Sequence, residues 1–243
     1  MNQTSDDQKL LEKRFRELSA RAERHSVPVF SEFLGLYEQD ILSRLSLPAV
    51  LEGGYPTAER KVACFGGEKP PIRCIEMRPV NQKFADTLTH RDFLGSLMGL
   101  GLRRETLGDI IIEDNCGFLF CLEMVSEFIC TQLETVRHTT VKCHICNEIP
   151  DVAVSLPEPV CIIAASERTD ALIAAVFGRS RAEAQKLFAA GRVFAAGRLI
   201  SNTSYTVKPG EMISVRGLGR FILEDEPACT RKGRLRTKVR IFR

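Results

Sequence analysis

The stretch 147–159, NEIPDVAVSLPEP, places Pro150, Pro157 and Pro159 within ten residues. Each proline fixes φ and removes a backbone donor, so neither a long helix nor a central strand can run through the segment. The chain must build its cores on either side, and residues 149–160 read as a linker. Charge divides at nearly the same place. Residues 166–243 hold 16 Lys and Arg against 7 Asp and Glu, a net of +9, whereas residues 1–165 hold 18 against 24, a net of −6. A field segregated in this way is the footprint of a polyanionic partner, either nucleic acid or an anionic membrane, and it carries no information about fold.

No apolar run approaches the roughly 18 residues that a membrane span needs, and the polar start MNQTSDDQKL carries no secretory signal. Nine cysteines, an odd number scattered along the chain, fit reduced thiols better than a disulfide framework. A cytoplasmic monomer is expected.

Upstream of the prolines, residues 6–25 space Leu10, Leu11, Phe15, Leu18 and Ala22 as one helix face, and residues 29–45 do the same with Phe30, Phe33, Leu34, Tyr37, Ile41 and Leu45. A mainly helical unit over 1–70 follows, closed by the turn GGYP and a strand KVACF. From 71 to 148 the order becomes strand (IRCIEMR), helix (from Thr89-x-x-Asp92), strand (DIII), strand (FLFCL), helix (about 124–136) and strand (VKCHI). That β-α-β-β-α-β order is the ferredoxin-like arrangement of RNA-recognition domains, a topology shared by many functions. Gly95 and Gly99 would weaken the first helix unless they permit close packing on the sheet or on a partner.

Downstream, residues 161–243 read as a small α+β domain with a basic tail. Ser180 and Glu183 form a Ser-x-x-Glu capping box, so a helix starts at Arg181 and ends before Gly191. Ala184, Leu187 and Phe188 are its buried stripe; Arg179, Ala182, Lys186 and Ala189 lie opposite, with Arg181 and Gln185 on the flank. A second helix precedes it, starting near Arg168 and Asp170. Two strand pairs follow, turning at Ala196-Gly197 and at 217–219. The tail TRKGRLRTKVRIFR alternates Arg234, Arg236, Lys238 and Arg240 with Leu235, Thr237, Val239 and Ile241, which predicts an ordered edge strand extending a phosphate-contacting surface.

The sequence R-x-D-x-L at 168–172, followed by SRAEA, GRV, an AAG turn and KPGEMISV, resembles the S4 RNA-binding domain, whose helices give the αL-type fold. Ala196 replaces the usual Asn and Glu211 the usual Asp, both in strand turns. Together with HRDFLGSLMGLGLRRETLGDI, EGGYPTAERKVACF and GLGRF with T-R-K-G-R, nearly the whole chain resembles the YlmH-like family of bacterial cell-division-operon S4 proteins. The resemblance implies an RNA-recognition-like middle domain and a C-terminal S4 domain. It also implies binding to 23S rRNA on the 50S subunit, with tRNA or peptidyl-tRNA as a further partner, in ribosome-associated quality control. The RNA contacts it implies are Arg168, Asp170, Arg179, Ser180, Arg181 and Lys186, with Arg192, Arg198, Arg231, Lys232, Arg234, Arg236 and Lys238 extending the basic surface. Asp170 fits a helix-start group that orients an arginine, since a carboxylate repels phosphate.

No cofactor, metal or catalytic group is expected. Cys143 and Cys146 have C-x-x-C spacing but lack a second pair, and strand alternation points them to opposite sides. Phe118 and Phe120 sit where RNA-recognition domains stack bases, but most of that motif is missing, which favours core packing. His90 and Asp92 fit helix capping. An rRNA-modifying enzyme or accessory factor would need a catalytic Asp motif or a Gly-rich cofactor loop, and a septal adaptor binding anionic lipid would need bulky apolar anchors in the tail.

Overall fold

The computed structural model describes residues 2–225, 228–230 and 233–242, in two compact units, 1–155 and 156–243. Among these residues no helix is long and apolar enough to cross a membrane.

The first unit opens with α1 (Asn2–His25), which buries Phe15 and Ala22 beside Leu11 and Leu18. Residues 29–45 differ from the expected single helix: they form β1 (Val29–Leu34) and then α2 (Leu36–Arg44). β2 (Ala49–Glu52) and β3 (Lys61–Phe65) complete an antiparallel sheet in the order β1-β3-β2, so residues 1–70 are a helix pair on a sheet rather than mainly helical. The cause is long-range pairing. Val62 to Phe65 are all buried, and β1 covers one edge of that strand, with the Ser31 hydroxyl accepting the Ala63 N–H at 2.8 Å. Sheet pairing of this kind overrides local propensity.

Next come β4 (Ile72–Pro79), α3 (His90–Gly99), β5 (Leu107–Glu113), β6 (Cys116–Leu122), α4 (Glu123–Gln132), β7 (Thr135–Val136) and β8 (Thr139–Ile145). The sheet order is β5-β6-β4-β8-β7, antiparallel throughout, with the first and third long strands central. This is the strand order of a split β-α-β unit. α4 stops at 132 because Thr135 and Val136 pair with β8. α3 and α4 cover one face, where Phe93, Leu97 and Ile129 meet Ile75, Met77, Leu107 and Leu119. The Asp92 carboxylate accepts the Thr89 N–H and hydroxyl at 2.9 and 2.6 Å, which holds its pKa below the ordinary carboxylate range and accounts for it as a cap. Gly95 and Gly99 do not serve packing on the sheet: a Cβ at either would meet nothing within 4 Å.

The other face is partly roofed by Tyr55, Ala58 and α5 (Asp151–Val154), over Cys74 and Phe120. The first half of the proline-rich stretch is therefore a packed helix and not linker. Tyr55 lies over Phe120 with ring centroids 4.7 Å apart. Its hydroxyl donates to Asp109 at 2.8 Å, and the same carboxylate accepts the Glu59 and Arg60 N–H groups. Arg60 Nε donates to the Leu107 carbonyl at 3.0 Å and Nη2 to that of Phe33 at 2.9 Å, which ties the two sheets of this unit together.

The second unit contains β9 (Val160–Ala164), α6 (Thr169–Phe177), α7 (Arg181–Ala189), β10 (Val193–Ala195), β11 (Arg198–Leu199), β12 (Met212–Val215), β13 (Gly219–Leu223), β14 (Ala228–Cys229) and β15 (Leu235–Phe242). Its sheet runs β11-β10-β12-β13-β15-β14, with β9 also pairing β15. β15 thus lies inside the sheet: Val239 pairs with Leu223 on one side and Val160 on the other, which corrects the expected edge strand. The helices pack on one face, bringing Leu172, Ile173, Ala184 and Phe188 against Val193, Ile213, Phe221 and Val239.

Candidate nucleic-acid interface

The site begins where α6 begins. Thr169 donates its N–H and hydroxyl to the Tyr205 carbonyl at 3.2 and 2.5 Å, which docks the helix start on the 201–206 loop. Gly178, left-handed at φ 60°, ends α6 and turns the chain, so α7 starts only three residues later. Ser180 caps it: its hydroxyl oxygen accepts the Glu183 N–H at 3.2 Å while the Glu183 carboxylate accepts the Ser180 N–H and hydroxyl at 2.8 and 2.7 Å. Those bonds to Ser180 hold the Glu183 pKa low. The predicted capping box is therefore formed, and it commits the Ser180 hydroxyl to the helix.

Between the two helix starts lies Asp170, with no exposed surface. It accepts Arg168 Nε and Nη2 at 3.1 and 3.3 Å, Arg181 Nε at 3.3 Å and Gln185 Nε2 at 3.1 Å. Burial alone would raise its pKa; the hydrogen bonds from Arg168, Gln185 and Arg181 outweigh that and bring it below the ordinary carboxylate range. Arg168 also donates to the Thr203 hydroxyl at 2.8 Å. Asp170 is thus a positioning residue that presents two arginines, each still substantially exposed. Arg179 and Lys186 stand beside them, exposed and without a hydrogen bond or ion pair from their side chains among the described residues. Four cations against two carboxylates leave this end of the helical pair positive.

The remaining predicted residues are dispersed. Arg192 is exposed at the start of β10, its guanidinium against Gly217, and Arg198 is exposed past the Ala196-Gly197 turn. Arg231 and Lys232 lie outside the described residues. Arg234 is exposed just before β15. Alternation on β15 sends Thr237 and Val239 into the core under the helices and sets Arg236 and Lys238 on the opposite face, so the tail does not extend the helical surface. Two arginines were missed. Arg216 lies over the Phe194 ring at 5.8 Å and Arg220 over Phe242 at 5.3 Å, and only the cross-strand register, with Arg220 opposite Phe242, reveals the second pair.

Nothing among the described residues gathers three metal-ligating side chains. Cys143 packs on the helix-covered side of the middle sheet and Cys146 on the other, and burial pushes the Cys143 thiol up to about 12, outside the range of a reactive thiolate.

A protein of Bacillus subtilis (strain 168), named "Ribosome-associated protein quality control protein P2", is 32% identical over 219 residues, covering 85% of this chain and 84% of its own. The chain belongs to the YlmH family. Residues 72–148 match the family model described as "Putative RNA-binding domain in YlmH", which spans the split β-α-β sheet. The solved "Cell division protein ylmH from Streptococcus pneumoniae" is 18% identical with a TM-score of 0.48, covering 58% of this chain and 91% of its own. The YlmH-matched segment is where Tyr55 occupies the Phe120 face, so part of the surface that RNA-recognition domains offer to bases is already filled by the chain itself.

Proposed function

We propose that this YlmH-family chain is a non-catalytic, cytoplasmic RNA-binding factor of the ribosome. It docks on 23S rRNA of the 50S subunit, with tRNA or peptidyl-tRNA as a second partner, in quality control of stalled nascent chains. The observation that carries the reading is the Asp170 junction: one buried carboxylate fixes Arg168 and Arg181 at the adjoining starts of two helices, with Arg179 and Lys186 exposed alongside. Oriented guanidinium groups beside helix N-termini favour phosphate, and fixed spacing favours folded RNA over a featureless polyanion. The name of the Bacillus relative and the description of the matched family model support the ribosomal and RNA-binding parts. Neither names an enzyme.

Co-sedimentation with 50S subunits across a salt series tests it. The wild-type chain should pellet with 50S subunits in preference to 30S, and the double variant R179A/K186A should be released at lower salt with its melting temperature unchanged. Equal release of both proteins would sink the helical surface as the contact. The rRNA-modification alternative predicts an rRNA base change on deletion, which modification mapping would reveal.

A further inference from the structure

The second unit has two basic faces, and the helical pair uses only one. On the sheet face turned away from α6 and α7, β15 exposes Arg236 and Lys238, which sit roughly 6.7 Å apart, two residues along a strand. β9, paired with β15, adds Ile163, 58% exposed and directly opposite Arg236. Toward the other end of the face, Arg220 lies over the half-buried ring of Phe242, and the exposed Arg216 lies over Phe194, whose ring is buried and serves only to hold the arginine.

Among the described residues, two carboxylates act on the cations of this face. Glu224 is bound by Arg240 and also feels the charge of Lys238, and Glu158 adds to the field around Arg240. Arg240 is further committed to the Pro157 carbonyl at 2.7 Å, so it braces the strand. Among the described residues Arg236 is held by Cys161, with Nε 3.1 Å from the sulfur, a weak acceptor that leaves the guanidinium available to a phosphate. Cations in excess of the carboxylates beside them, with the exposed Ile163 of β9 opposite Arg236, suit an extended strand: phosphates on Arg236 and Lys238, a base against the apolar side chain.

We propose that this open sheet face is a second RNA-binding surface, separate from the helical one, that takes a single-stranded RNA segment while α6 and α7 hold a folded one. The proposal rests on the RNA-binding reading above. It makes the C-terminal unit a bridge between two RNA segments.

The test uses the full chain, an RNA hairpin fixed to beads and a fluorescent oligouridine. Wild-type protein loaded on the hairpin should capture the oligouridine. R236E/K238E should still bind the hairpin, yet lose roughly tenfold in oligouridine affinity, with a salt slope shallower by about two. R179E/K186E should do the reverse, losing the hairpin and keeping the oligouridine in solution. R236Q/K238Q repeats the measurement if charge reversal lowers the melting temperature. Oligouridine binding unchanged in the sheet-face variants overturns the second surface and leaves the helical reading intact, as does loss of both RNAs in R179E/K186E. Hairpin and oligouridine binding untouched in every variant overturns both. Sheet-face variants that lose flotation with phosphatidylserine vesicles, while still binding oligouridine, would assign the face to lipid instead.

Discussion

Asp170 and Arg181, eleven positions apart, meet at 3.3 Å because Gly178 reverses the chain between their helices. One carboxylate thereby organises a surface made of residues from two helices and a loop.

That relationship sets a stability and a pH expectation. Asp170→Ala removes the acceptor of Arg168, Arg181 and Gln185; both arginines are exposed enough to rehydrate, so the cost falls to about 2 kcal/mol. The folded pKa lies below the unfolded value of about 3.9, so the contribution is fully present above about pH 4 and is lost as pH falls through the folded value. Urea melts at pH 7 and pH 3 should show the wild-type advantage over the variant shrinking in acid. An advantage that is constant with pH would mean the carboxylate is not what holds the junction.

Lys186→Ala should weaken RNA binding and make the slope of log affinity against log salt shallower by about one, since one phosphate contact is lost. The side chain is exposed, and what it leaves behind is a solvent-screened attraction to Glu183, so the melting temperature should stay within a degree or two. Filter binding over a salt series reads the slope, and an unaltered slope removes Lys186 from the interface.

Ala196 occupies the first place of a two-residue hairpin turn at φ 47°, where a Cβ costs about 1 kcal/mol. Ala196→Asn, the residue usual in S4 domains, should stabilise the protein by up to that amount in a thermal melt without altering RNA affinity. A destabilised variant would show that the methyl group makes a compensating contact.

Asp109→Ala removes one carboxylate that accepts from the Tyr55 hydroxyl and from the backbone N–H groups of Glu59 and Arg60, and should cost about 2 kcal/mol. Because that loop roofs Phe120, hydrogen exchange in β6 should rise as well. Exchange confined to residues 53–60 would show that the roof is local.

What could be read from residues in order was whatever depends on near neighbours. The Ser180–Glu183 cap, the Ala184 and Phe188 stripe, the Thr89–Asp92 helix start and the β-α-β-β-α-β succession all follow from spacing over a few positions, and the structure forms them. The resemblance carried by R-x-D-x-L and its followers pointed to the helical pair, and Asp170 was already legible as an orienting group.

Pairing between distant residues was not legible. Val29–Leu34 keeps helical spacing yet becomes a strand because the buried β3 needs a partner on that edge. The tail shows its two-faced alternation in sequence, but which face meets the helices is fixed by its register between β9 and β13. Local sequence thus determined the elements, their caps and the sign of their charge, since those depend on propensity and periodicity. Tertiary structure alone decided that Arg168 and Arg181 share one carboxylate while Arg236 and Lys238 face away, because the side a strand presents is set by the core it buries.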